Sequence, residues 1–78
     1  MEIRVLSSGC THCRAQAGNV ARAVSEMHLD ATVTRVEDMA QILPYNVLAL
    51  PAIVVDGRVV HSGKLLSVEE VKHLLAKL

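Results

Sequence analysis

Seventy-eight residues suffice for one small domain, 1–78, burying roughly 60% of the unfolded chain's surface, and 51% of them are apolar. The apolar set is aliphatic, with Tyr45 the only aromatic, so no stacking platform for bases or sugars exists. Eight basic and eight acidic residues cancel, and no basic run appears, which argues against electrostatic nucleic-acid binding.

In chain order, Glu2–Ser7 reads as a strand built on Ile3, Val5 and Leu6, and Ser7-Ser8-Gly9 as a turn. A helix starts near Cys10–Thr11, because Cys13, Ala17, Val20, Val24 and Met27 recur at helical steps and make one apolar face. Arg14, Gln16, Asn19, Arg22 and Glu26 fall on the expected wet face, and Gly18 marks a weak interior point where the sheet could approach. Ala31–Val36 is a second strand. Glu37–Gln41 opens a short helix with Asp38 and Gln41 spaced as a capping pair, and Pro44 ends or kinks it.

Ala52–Val55 is the third strand, and Asp56-Gly57 is a strong two-residue hairpin turn returning through Arg58–His61. Ser62-Gly63-Lys64 reads as loop. Ser67 and Glu70 then form a capping box, with Leu66 and Val71 as a staple, before a helix whose buried face is Val71, Leu74, Leu75 and Leu78. The order is βαβαββα. Its first βαβ unit should be parallel and right-handed, giving an α/β fold with a mixed four-stranded sheet flanked by helices.

The two cysteines, Cys10 and Cys13, sit where the first strand meets the first helix. Side chains three residues apart on a helix stand about 5–6 Å apart at Cβ, and a disulfide needs about 3.5–4.5 Å. A cysteine at the start of the helix can swing in and close that gap, which is the geometry of a dithiol–disulfide switch. Cys10, at the helix N-terminus, is the expected attacking sulfur, because unpaired N–H groups and the positive dipole end stabilise a thiolate. Cys13 lies on the apolar face and is the expected resolving sulfur. His12 between them could favour the Cys10 thiolate when its imidazole is cationic; the alternative is an exposed histidine with no such role.

Four stretches in order, Ser8-Gly9-Cys10-Thr11-His12-Cys13, Val47-Leu48-Ala49-Leu50-Pro51-Ala52, Val55-Asp56-Gly57 and Gly63 ahead of Ser67-Val68-Glu69-Glu70, resemble the small thioredoxin-like redox-active disulfide proteins of archaea and bacteria. That resemblance spans nearly the full length. It implies a thioredoxin fold, thiol–disulfide exchange and a cis peptide bond at Leu50-Pro51, with Gly9, Thr11, Leu50 and Pro51 framing the substrate. It also implies client protein disulfides as partners, an upstream thioredoxin-reductase-like protein, and no cofactor beyond the Cys10–Cys13 disulfide itself. Two departures stand out: Gly9 occupies the place of a tryptophan, and no buried acid is available from a first strand filled by Ile3, Val5 and Leu6.

Two rival activities use the same cysteines. A small Cu(I)/Zn(II) carrier also places Cys-x-x-Cys after its first strand, but its order is βαββαβ and it carries Met where Ser8 stands. Glutathione-linked exchange fits the size, although no set of charged groups for the glutathione carboxylates is evident. His28, His61 and His73 lack ligand-like spacing, so no metal site is expected, and Tyr45 either flanks the site or fills the core. The first residues lack a basic lead and an apolar leader, and no run approaches the roughly 20 residues of a membrane span. A cytoplasmic monomer is the expectation.

Overall fold

The computed structural model describes residues 1–9 and 11–78; Cys10 lies outside the described residues. The chain runs β1 (Glu2–Leu6), α1 (Thr11–Glu26), β2 (Thr32–Val36), α2 (Met39–Ile42), a 3₁₀ turn (Leu43–Tyr45), β3 (Ala52–Val55), β4 (Arg58–Ser62) and α3 (Val68–Ala76). This is the βαβαββα order expected, and it closes on a helix rather than on the strand that the metal-carrier order requires.

The strands form one mixed sheet in the order β2-β1-β3-β4. β1 runs parallel to β2 across the α1 crossover, and β3 is antiparallel to both β1 and β4. Side chains alternate across the pleat, so each central strand feeds two cores. Ile3, Val5, Ile53 and Val55 meet Val20, Ala23 and Val24 of α1 and Val71 and Leu75 of α3. Leu6, Ala52 and Val54 point the other way, to Ile42 at the end of α2.

Local chemistry accounts for the boundaries. Asp56 (φ 50°) and Gly57 (φ 84°) both take the left-handed conformation that a tight hairpin turn needs. Asp56 also clasps the chain start: Glu2 N donates to Asp56 Oδ1 at 2.8 Å, and Asp56 N donates to Glu2 O at 2.8 Å. The β3–β4 ladder pairs Ile53 with His61 and Val54 with Val59, which leaves Val60 as the extra residue of a bulge. Ser62, expected in a loop, is the last residue of β4.

The Ser67–Glu70 capping box closes in both directions, with Glu70 N donating to Ser67 Oγ (3.1 Å) and Ser67 N to Glu70 Oε1 (3.0 Å). Asp38 caps α2 by accepting from Ala40 N at 2.9 Å, and α2 lasts one turn before Pro44 enters the 3₁₀ turn.

Helix α1 departs from its expected wet face. Gln16 is fully buried, and its Oε1 accepts from Leu66 N at 2.8 Å. Asn19 Nδ2 donates to Leu66 O at 2.7 Å. Together they satisfy both backbone polar groups of one loop residue, Leu66, on the way to α3. Gly18 faces outward with nothing within 4 Å of an added Cβ, so no close approach explains it. At the other end, Leu78 is exposed rather than part of the buried face of α3. Among the described residues, no helix is long and apolar enough to cross a membrane.

Candidate active site

The site is assembled where β1 hands the chain to α1. Ser7 is fully buried; its N–H donates to Val36 O at 2.9 Å, continuing the β1–β2 ladder, while its Oγ accepts from Gly9 N at 3.0 Å. That bond curls the chain into a turn at Gly9, whose φ of 82° favours glycine. Crowding is not the constraint there, since an added Cβ would meet Glu37 Oε2 only at 3.6 Å, an ordinary contact.

The turn delivers the chain into the first turn of α1. Thr11 and His12 are exposed at its start, and Cys13 points inward with no exposed surface. Ser8, itself solvent-exposed, places its Oγ 3.7 Å from Cys13 Sγ. A hydroxyl at that distance is within hydrogen-bonding reach of sulfur. Cys10 is outside the described residues, so its expected place as attacking sulfur has no geometry here.

Across from the turn, the segment ahead of β3 carries Leu50, half-buried, and Pro51, buried, and the peptide bond between them is cis. Pro51 O accepts from Gly63 N at 2.8 Å, which ties this segment to the loop after β4. An open groove of about 610 Å³ runs from Ser8 to Leu50 along Met39, Leu43, Val47 and Leu48. Its walls include three of the most exposed large apolar side chains: Met39 at 50%, Leu43 at 66% and Leu48 at 100%. Ser8 therefore touches the buried sulfur on one side and the apolar groove on the other.

Of the residues singled out in the sequence, Thr11, His12 and Cys13 stand on one helical turn, with Gly9 in the turn that precedes it. Leu50 shares a groove with Ser8. Tyr45 sits elsewhere: it packs on the α2-side core, and its hydroxyl accepts from Arg4 Nη1 at 3.2 Å. His61 is engaged away from the site, its Nε2 2.7 Å from Lys64 O. Among the described residues, no group of three or more His, Cys, Asp or Glu side chains is arranged to hold a metal ion. Ser8 and the exposed leucines escaped the sequence reading. Leu48 could have been caught as an apolar residue in a segment with no strand or helix to bury it.

No strongly shifted ionisable group lies in this region among those whose shift is resolved. Those are Arg4, raised chiefly by its bond to Glu2; Glu26, lowered chiefly by Lys72; Glu70, lowered chiefly by the Ser67 backbone N–H; and Lys72, raised chiefly by Glu26.

Comparison with known proteins bears on this geometry. A family model described as Thioredoxin domain matches residues 1–76. A thioredoxin of Methanothermobacter thermautotrophicus is 36% identical over 76 residues, covering 97% of this chain and 99% of that protein. A thioredoxin of Methanocaldococcus jannaschii is 37% identical over 73 residues, covering 94% of this chain and 84% of that protein. Among solved structures, thioredoxin 1 from the thermophilic eubacterium Thermosipho africanus superposes with a TM-score of 0.68 at 17% identity. That match covers 99% of this chain and 92% of the other, and it is a likeness of fold.

Proposed function

The chain belongs to the thioredoxin domain family of thiol–disulfide oxidoreductases, and we propose that it exchanges electrons with client protein disulfides through Cys10 and Cys13. The observation that carries this reading is the complete burial of Cys13 in the first turn of α1, against Ser8, which lines a groove that ends at Leu50. A shielded sulfur suits the second step of exchange, because it cannot engage a bulky client first.

In the reducing direction, the Cys10 thiolate attacks one sulfur of the client disulfide. The client's S–S bond breaks, one client thiolate leaves, and a Cys10–client mixed disulfide forms. Cys13 then attacks the Cys10 sulfur; the new Cys10–Cys13 bond forms as the mixed disulfide breaks and the second client sulfur departs. The client gains two electrons and the cysteine pair loses two. His12, exposed immediately before Cys13, is the candidate for tuning Cys10. Gly9 and Thr11 frame the approach, and Leu50 and Pro51 offer backbone to an extended client segment. The cysteine pair is its own redox group and no further cofactor enters. A thioredoxin-reductase-like protein resets the pair, in the cytoplasm, with the chain acting as a monomer.

Insulin, whose disulfides are accessible, serves as the test client. On a non-reducing gel, Cys13→Ser should accumulate a covalent complex with insulin, and Cys10→Ser should not. Equal trapping by both variants overturns the assignment. Turnover supported by glutathione in place of a thioredoxin reductase would instead favour the glutathione-linked reading.

A further inference from the structure

A sulfur with no exposed surface must still lose a proton before it can attack a mixed disulfide. Among the described residues the buried polar side chains are Ser7 and Gln16, and neither is an acid that could take it. Both are committed elsewhere through their oxygens, Ser7 to Gly9 N and Gln16 to Leu66 N. Among the described residues, a group placed against the sulfur is the Ser8 hydroxyl, 3.7 Å from Cys13 Sγ. Ser8 is solvent-exposed and Cys13 is not. The residue that meets the buried sulfur thus also borders bulk water, and a hydroxyl both accepts and donates.

We infer that Ser8 is the proton-transfer residue for Cys13, carrying the thiol proton out to water as Cys13 attacks the mixed disulfide. The inference rests on the proposed resolving role of Cys13. As the Cys13 S–H bond breaks, Ser8 Oγ takes the proton and passes its own to a solvent water. The freed sulfur electron pair forms the bond to Cys10 Sγ, the Cys10–client S–S bond breaks, and the departing client sulfur takes a proton from water. In the reverse direction the same hydroxyl returns a proton to Cys13. The turn that aims Ser8 is set by Gly9 and by the Ser7 Oγ bond, so the arrangement is built into the backbone ahead of the cysteines.

Ellman's reagent, a small aromatic disulfide, separates the two steps in stopped flow. Release of the first thionitrobenzoate reports attack by Cys10, and release of the second reports resolution by Cys13. Ser8→Ala should keep the first phase and slow the second about 10²-fold, the low end of what a positioned proton-transfer group contributes. Ser8→Thr, which keeps the hydroxyl, should restore it. A second phase at the wild-type rate in Ser8→Ala overturns the inference, as does failure of Ser8→Thr to rescue, which would mark a purely structural role. The mass of the wild-type product keeps the two questions apart. Loss of two hydrogens with no thionitrobenzoate retained supports the resolving role independently of Ser8, and two retained thionitrobenzoate groups remove the resolving role and the inference together.

Discussion

One face of the sheet lies under two helices, and the other lies under a single helical turn. Among the described residues, α1 and α3 on the first bury ten in one aliphatic cluster that includes Ile3, Val5 and Ile53. On the second, α2 ends after Ile42 and the buried cluster of described residues has five members. The chain beyond it, through Leu43 and Leu48, leaves apolar side chains in water. The contrast teaches a division of labour within 78 residues: the thickly covered face holds the molecule together, and the thinly covered face leaves apolar surface open, where the proposed client would lie.

The largest expected effect tests the thick face. Ile53→Ala removes a fully buried side chain from the centre of the ten-residue cluster and should cost about 2–5 kcal/mol of stability, read by urea unfolding. A loss near zero would mean that the α1/α3 face is not the principal core.

Acid should act on the same face, more weakly. Lys72, foremost, with Arg22 holds the Glu26 carboxyl below the ordinary carboxylate range, and the Ser67 backbone N–H does the same for Glu70. Groups whose folded value is depressed stabilise above their unfolded value, about 4.3 for Glu. That contribution is lost as pH falls through the folded values. Glu26 joins α1 to Lys72 of α3, and Glu70 closes the α3 cap, so both ties belong to the thick face. The thermal midpoint should fall between about pH 5 and pH 3, and the fall should be shallower in Glu26→Gln. An equally steep fall in that variant breaks the argument.

The smallest effect on stability is expected from the thin face. Leu48 is wholly exposed, so Leu48→Ser should leave unfolding within about 0.5 kcal/mol of wild type. The same change should raise the KM for a protein client about fivefold, equivalent to about 1 kcal/mol of lost apolar contact, well short of full leucine burial. An unchanged KM would show that the groove does not carry the client.

Which parts were legible in the sequence follows from how local their causes are. The bounds of β3, the Asp56-Gly57 turn and the Ser67–Glu70 box depend on neighbours in sequence, and each was read from them. Gln16 and Asn19 were placed in water because helical periodicity counts residues on one helix. Their partner, the backbone of Leu66, lies 50 and 47 residues away. Ser8 was overlooked for a related reason. Its approach to Cys13 depends on the backbone turn at Gly9, and spacing along the chain carries no sign of φ. The exposure of Leu78 reflects a helix that ends at Ala76, before its apolar pattern does.

The bulge at Val60 bears on how copies of this chain meet one another. β4 is an outer strand, whose unpaired amides and carbonyls could recruit a strand from another molecule. The extra residue breaks the even spacing that lateral growth into fibrils relies on and adds local coiling to the strand. At that flank, backbone shape therefore discourages crowded copies from seeding aggregation, alongside the exposed charge of Arg58.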